Sequence, residues 1–155
     1  MEITYKTNNN ICYSCKYHIV WCPKYRKKIL VGEVEQRLKE ITKTICGEVN
    51  VKLIEIECDQ DHIHILVDVD PQYGVHRLVK LIKGRSSFLL RKEFPFLKRT
   101  MPCMWTNSYF VSTVGGAPLS VVGSASHVSD GSIIEDDYKQ GYYILVATPN
   151  SQKGC

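Results

Sequence analysis

Apolar residues recur along this chain with two different periods. Over residues 33–48 they fall at Val34, Leu38, Ile41 and Ile45, with charged residues between them. Steps of three and four predict an amphipathic helix with one buried stripe. Residues 74–93 repeat the pattern: Val75, Leu78, Val79, Ile82, Leu89 and Leu90 make an apolar side, and Arg77, Lys80, Lys83, Arg85, Arg91 and Lys92 a basic one. Elsewhere the texture is that of strands. Residues 13–22 are rich in aromatic and β-branched side chains and stop at Pro23; residues 62–70 stop at Pro71; residues 107–114 stop at Gly115-Gly116. In residues 51–58, Val51, Leu53, Glu55 and Glu57 alternate with Lys52, Ile54, Ile56 and Cys58. The link Asp59-Gln60-Asp61 is so short that this strand and the next are predicted to pair as a hairpin.

The order strand, helix, strand, strand, helix, strand predicts an α+β fold, a ferredoxin-like antiparallel sheet with its helices on one face. These elements are complete by Val122, so residues 1–122 are expected to form one domain. Pro118 and Leu119-Ser120-Val121-Val122 resemble the first turn of a further helix, but Gly123-Ser124-Ala125-Ser126-His127-Val128-Ser129-Asp130-Gly131-Ser132 abolishes it. Residues 123–155 are expected to be a divergent, poorly ordered tail or an added strand.

Composition narrows the class. With 44% hydrophobic and 23% charged residues in 155, the chain is an ordinary globular protein. It has no apolar run long enough for a membrane span and no basic-then-apolar leader, so a cytoplasmic location is expected. The net charge of +4 is uneven: residues 1–122 carry 18 Lys and Arg against 12 Asp and Glu, the tail 2 against 4. A polyanionic partner would therefore meet the first part. Cys12 and Cys15 have the spacing of half a zinc knuckle, but no second pair of that spacing follows. The seven cysteines are read mostly as core thiols rather than as a disulfide framework.

The sharpest chemical signal is His62-Ile63-His64. On a strand, residues two apart share a face, so both imidazoles project together while Ile63 enters the core. Two such nitrogens can hold one divalent ion; the bland alternative is a pair of solvated histidines. Asp59 and Asp61 lie just ahead, and Asp68 and Asp70 continue the face beyond Leu66. Carboxylates beside histidines suit Mg²⁺, Mn²⁺ or Zn²⁺ and can fix an imidazole tautomer.

Longer words surround this pair: Tyr17-His18-Ile19-Val20-Trp21-Cys22-Pro23-Lys24-Tyr25-Arg26-Lys27-Lys28, then Leu30-Val31-Gly32, Asp61-His62-Ile63-His64-Ile65-Leu66, Lys83-Gly84-Arg85-Ser86-Ser87, and the run from Trp105 to Gly116. In this order they closely resemble the single-tyrosine HUH transposases of the smallest bacterial insertion sequences, over about residues 5–122. The resemblance implies a homodimeric enzyme that binds imperfect DNA hairpins at the ends of its element. It also implies cleavage and rejoining of single-stranded DNA through a 5′-phosphotyrosine link, with no nucleotide cofactor. His62 and His64 would hold the metal, Mg²⁺ or Mn²⁺. Lys24, Arg26, Lys27 and Lys28, with Arg77, Lys80, Lys83 and Arg85, would contact phosphates. Tyr17, Trp21, Tyr25 and Trp105 are candidates either for stacking on unpaired bases or for the core.

The tail departs from that pattern. The position expected for the nucleophilic tyrosine holds Ala125, and that of a metal-binding glutamine holds Ser129. Neither residue can substitute, and a shifted reading frame or recombined end would account for the change. Tyr138, Tyr142 and Tyr143 are the tyrosines left beyond the break. Tyr138 follows Glu135-Asp136-Asp137, which would repel phosphate and raise its pKa, and the other two lie in an apolar patch. Three functions follow: a cutting transposase, a relative that binds hairpin DNA without cutting it, and, as the weakest, an RNA-binding ferredoxin-like module.

Overall fold

A computed structural model describes residues 5–8 and 10–114. The expected helix start at Pro118, the tail and its three tyrosines lie outside the described residues. Six strands and three helices follow one another as β1 (Lys6–Thr7), β2 (Cys12–Tyr13), β3 (Lys16–Trp21), α1 (Glu33–Glu48), β4 (Lys52–Asp59), β5 (His62–Asp68), α2 (Val75–Glu93), α3 (Pro95–Thr100) and β6 (Phe110–Thr113). Strands β4, β5, β3 and β6 form, in that order, a four-stranded antiparallel sheet. The neighbours β3 and β5 are each followed by a helix before the chain reaches an edge strand, β4 or β6, as the ferredoxin-like order requires. The expected α+β fold is therefore the observed one. Among the described residues, no helix is long and apolar enough to cross a membrane.

The helices cover one face. Val34, Leu38, Ile41 and Ile45 of α1 and Leu78, Val79, Ile82 and Leu90 of α2 are buried against Ile19 and Trp21 of β3 and Ile63, Ile65 and Val67 of β5. The stripes read from the 3.6-residue period are those that pack. Trp21 and Trp105 meet edge to face, with ring centroids 6.0 Å apart, and the Trp105 indole N–H donates to Ser86 Oγ at 3.0 Å. Both tryptophans are buried, so neither is a stacking surface for bases.

Beyond shifts of one or two residues at element ends, four features differ from the sequence expectation. The first strand is split: residues 14–15 separate β2, which pairs with β1, from β3 in the main sheet. The last strand is shorter than residues 107–114, because the carbonyls of residues 106–108 turn toward Lys83 instead of a neighbouring strand. Helix α3 was not anticipated, although Pro95 at its first turn is a favoured start. Strand β4 carries a bulge. Leu53 pairs with Val67 and Glu55 with Leu66, so Ile54 is an extra residue, exposed and out of phase. Past it, Ile56 and Cys58 pack toward the helices, and Glu55, Glu57 and Asp59 share the other face with Leu66, His64 and His62. Of the cysteines, Cys22 and Cys46 are core thiols as expected, but Cys12 is exposed.

Candidate metal centre

Strand β5 presents His62 and His64 on the face away from the helices, with Ile63 buried between them. A two-residue turn, Gln60-Asp61, joins β4 to β5 and sets Asp59 directly opposite His62. One ligand atom from each of Asp59, His62 and His64 falls within 4.8 Å of the others, which suits a single cation. Their chemistry fits a divalent ion: two imidazole nitrogens and a carboxylate oxygen are a borderline-hard set. Asp59 Oδ2 lies 3.0 Å from His62 Nε2, and the two imidazole centroids are 4.7 Å apart. The short Asp-x-x-His spacing across a hairpin turn could have been read from the sequence as a ligand pair.

Asp61 orients His62. Its Oδ1 accepts from His62 Nδ1 at 2.6 Å, and its Oδ2 pairs with the Arg26 guanidinium at 3.1 Å. Burial works to raise the Asp61 pKa, but the His62 hydrogen bond and the Arg26 charge outweigh it and hold the carboxyl below its usual value. With Nδ1 of His62 so engaged, Nε2 is the nitrogen left for a cation. Burial, reinforced by His62 and His18, lowers His64 to about 4. The ring is therefore neutral near pH 7, the form that donates a lone pair. His18 lies beside it on β3, and burial lowers its pKa as well.

The other two expected carboxylates do not join this group. Asp68 is buried and paired with Lys6 at 3.1 Å, and Asp70 accepts from the Asn8 side-chain amide at 2.8 Å.

The basic residues separate into two sets. Lys24, Tyr25 and Arg26 form a 3₁₀ turn, and Tyr25 and Arg26 both take left-handed backbone conformations (φ 61° and 48°). The turn sends Arg26 to Asp61 and leaves the Tyr25 ring 68% exposed, with Lys24 Nζ 5.6 Å from its centroid. Lys28 is exposed, and Lys27 donates to the Thr100 carbonyl at 2.6 Å. This set adjoins the centre through Arg26. The α2 set belongs to the helical layer, on the other side of the sheet. There Lys80 is exposed, Arg77 stacks over Tyr73 at 4.9 Å, and Arg85 pairs with Glu48. Lys83 does not share their solvent-facing side. It donates to the carbonyls of Thr106, Asn107 and Ser108 at 2.6, 3.3 and 3.1 Å, and burial pushes its ammonium down to about 8. These bonds tie the segment before β6 to α2. Tyr17 pairs opposite Val67 and packs against the core, which leaves Tyr25 as the one exposed aromatic of the four stacking candidates.

Known proteins agree with this architecture. The profile of the family described as IS200-like transposases matches residues 11–124. The transposase for insertion sequence element IS200 of Salmonella typhimurium is 34% identical over 142 residues, covering 90% of this chain and 89% of that protein. The ISDra2 transposase TnpA of Deinococcus radiodurans is 34% identical over 116 residues, 74% of this chain and 83% of its own. A crystal structure of a Deinococcus radiodurans R1 protein assigned as a transposase superposes with a TM-score of 0.67 at 34% identity, over 72% of this chain and 87% of that one. By sequence and by fold, this chain belongs to the IS200-like family of DNA transposases.

Proposed function

We propose that this transposase acts on single-stranded DNA at the hairpin ends of an insertion sequence, in the cytoplasm and as a homodimer, with Mg²⁺ or Mn²⁺ held by Asp59, His62 and His64. The observation that carries the reading is the three-donor group at the β4–β5 turn, backed by Asp61 and Arg26. A cation bound there would act as a Lewis acid, polarising the scissile phosphate. The protein's own part is to position. Asp61 holds the His62 ring, Arg26 balances Asp61 and brings a positive edge to the phosphate, and Tyr25 offers an unpaired base a stacking surface. Lys24 and Lys28 fit the neighbouring phosphates, whereas Arg77, Lys80 and Arg85 would meet a more distant part of the DNA. Residues 1–122 make up the DNA-processing domain in this reading, and residues 123–155 its divergent tail.

Cleavage would join a tyrosine oxygen to phosphorus and break the bond to the 3′ oxygen, leaving a free 3′ hydroxyl and a 5′-phosphotyrosine. Storing the phosphodiester in that link makes a nucleotide cofactor unnecessary. Tyr138, Tyr142 and Tyr143 are the nucleophile candidates in the tail. A second reading is favoured by one observation: Ala125 at the expected tyrosine position. In that reading the chain binds hairpin DNA without cutting it.

Purified protein incubated with Mn²⁺ and end-labelled hairpin DNA, then run on a denaturing gel, separates the two. A covalent adduct that maps to a tail tyrosine and disappears in His62→Ala supports cleavage. Binding with no adduct supports the second reading. If neither occurs while RNA is bound, both readings are wrong.

A further inference from the structure

The two histidines of the centre are not equally supported from behind. Nδ1 of His62 faces a carboxylate, Asp61, at 2.6 Å. Nδ1 of His64 faces another imidazole, with His18 Nε2 at 3.3 Å. His18 reaches it from the adjacent strand. In the β3–β5 register Val20 lies opposite His64 and His18 opposite Leu66, so His18 is the diagonal neighbour of His64 on the same face. The two rings are near parallel, 22° apart in plane, with centroids separated by 5.4 Å. We propose that His18 is a positioning residue for the metal centre, holding the His64 ring and selecting the tautomer whose Nε2 can bind a cation.

Proton placement decides whether His64 Nε2 is open to a cation. One proton lies between His64 Nδ1 and His18 Nε2. If His64 carries it, His64 Nε2 keeps its lone pair and His18 is protonated on Nδ1 instead. If His18 carries it, His64 must hold its own proton on Nε2, which closes that nitrogen to a metal. Only the first arrangement is compatible with binding, so the tautomers of the two rings are locked together. Partners behind a metal-bound histidine are typically worth 10–100-fold in affinity. A neutral imidazole adds no charge, so the lower end of that range, about tenfold, is expected.

The inference rests on the proposed metal site, and the test separates the two. Full-length wild-type protein, His18→Phe, His18→Gln and His62→Ala are titrated with Mn²⁺ by electron paramagnetic resonance, with circular dichroism to verify folding. His18→Phe keeps a stacked ring but has no acceptor, and should bind about tenfold more weakly. His18→Gln restores an acceptor oxygen and should recover most of the loss. Unchanged affinity in His18→Phe, or equal losses in both variants, would overturn the positioning role. Unchanged affinity in His62→Ala would instead remove the metal site itself. Long-range ¹H–¹⁵N spectra of the wild type, without metal and with diamagnetic Mg²⁺, need no variant to fold. They should report His64 protonated on Nδ1; a proton found on Nε2 in both states sinks the proposal.

Discussion

Replacing Asp61 by alanine removes two interactions at once, and the structure says how large each is. The Arg26 pair lies near the surface, with the Arg26 side chain 39% and the Asp61 side chain 22% exposed. Its loss should therefore cost no more than about 1 kcal/mol of stability. The 2.6 Å hydrogen bond to His62 Nδ1 matters differently. Without it the ring is free to rotate and to place its proton on Nε2, which competes with the cation. The expected loss is about 10–100-fold in Mn²⁺ affinity, or roughly 1.4–2.7 kcal/mol. Asp61→Asn keeps an oxygen that can accept from His62 but loses the charge and the attraction to Arg26, so it should fall between wild type and alanine. Isothermal titration with Mn²⁺, alongside urea unfolding in EDTA, measures the two quantities separately. Asp61 has no such role in holding the His62 ring if Asp61→Ala binds Mn²⁺ as wild type does. The same holds if affinity and metal-free stability fall by the same free energy, since Asp61 would then be supporting the fold and not the ring.

Ser86→Ala should cost roughly 1–3 kcal/mol in urea unfolding, because it leaves the buried Trp105 indole N–H without its acceptor. Tyr25→Gly should weaken binding of single-stranded DNA by roughly 1–3 kcal/mol in fluorescence anisotropy, while metal-free stability holds or rises, since glycine adopts φ 61° at less steric cost than tyrosine. Acid should destabilise the metal-free protein between the unfolded and folded pKa values of His64, about 6.5 and about 4. In that window the unfolded chain takes up a proton that the folded chain refuses, so stability falls with pH, by up to roughly 3 kcal/mol. His64→Gln should flatten the slope of urea midpoints over this range; an unchanged slope would place the linkage in another group.

Much of the fold was legible because it depends on period alone. The helices followed from Val34, Leu38, Ile41 and Ile45 and from Leu78, Val79 and Ile82, and the shared face of His62 and His64 from their spacing of two. What period could not show was set by partners far along the chain. Lys83 sits in a run of basic residues and looks like any solvated cation, yet three backbone carbonyls more than twenty positions away claim its ammonium. His18 is separated by 46 positions from the ring it touches, and only the β3–β5 register brings them together. Asp59 was noticed as a neighbour of the histidines, but its place beside His62 depends on a two-residue turn that the sequence left one residue too long. Leu53 and Ile56 pack toward the same side although they are three apart, a spacing that no regular strand allows, and that was the trace of the bulge.

That bulge gives the two ends of β4 a measure of independence. The end next to α1 is governed by how the helical layer packs, and the end at the turn by where Asp59 must stand. A regular strand would force both to keep step, so a residue gained or lost within β4 would turn the side chains on one side of the change to the opposite face. Ile54 acts as a slip joint instead. Changes of length ahead of it can be taken up by growing or erasing the extra residue, while Glu57 and Asp59 keep their partners across the hairpin. The helical side of such a protein is thus free to diverge without disturbing the few side chains that make up the candidate metal centre.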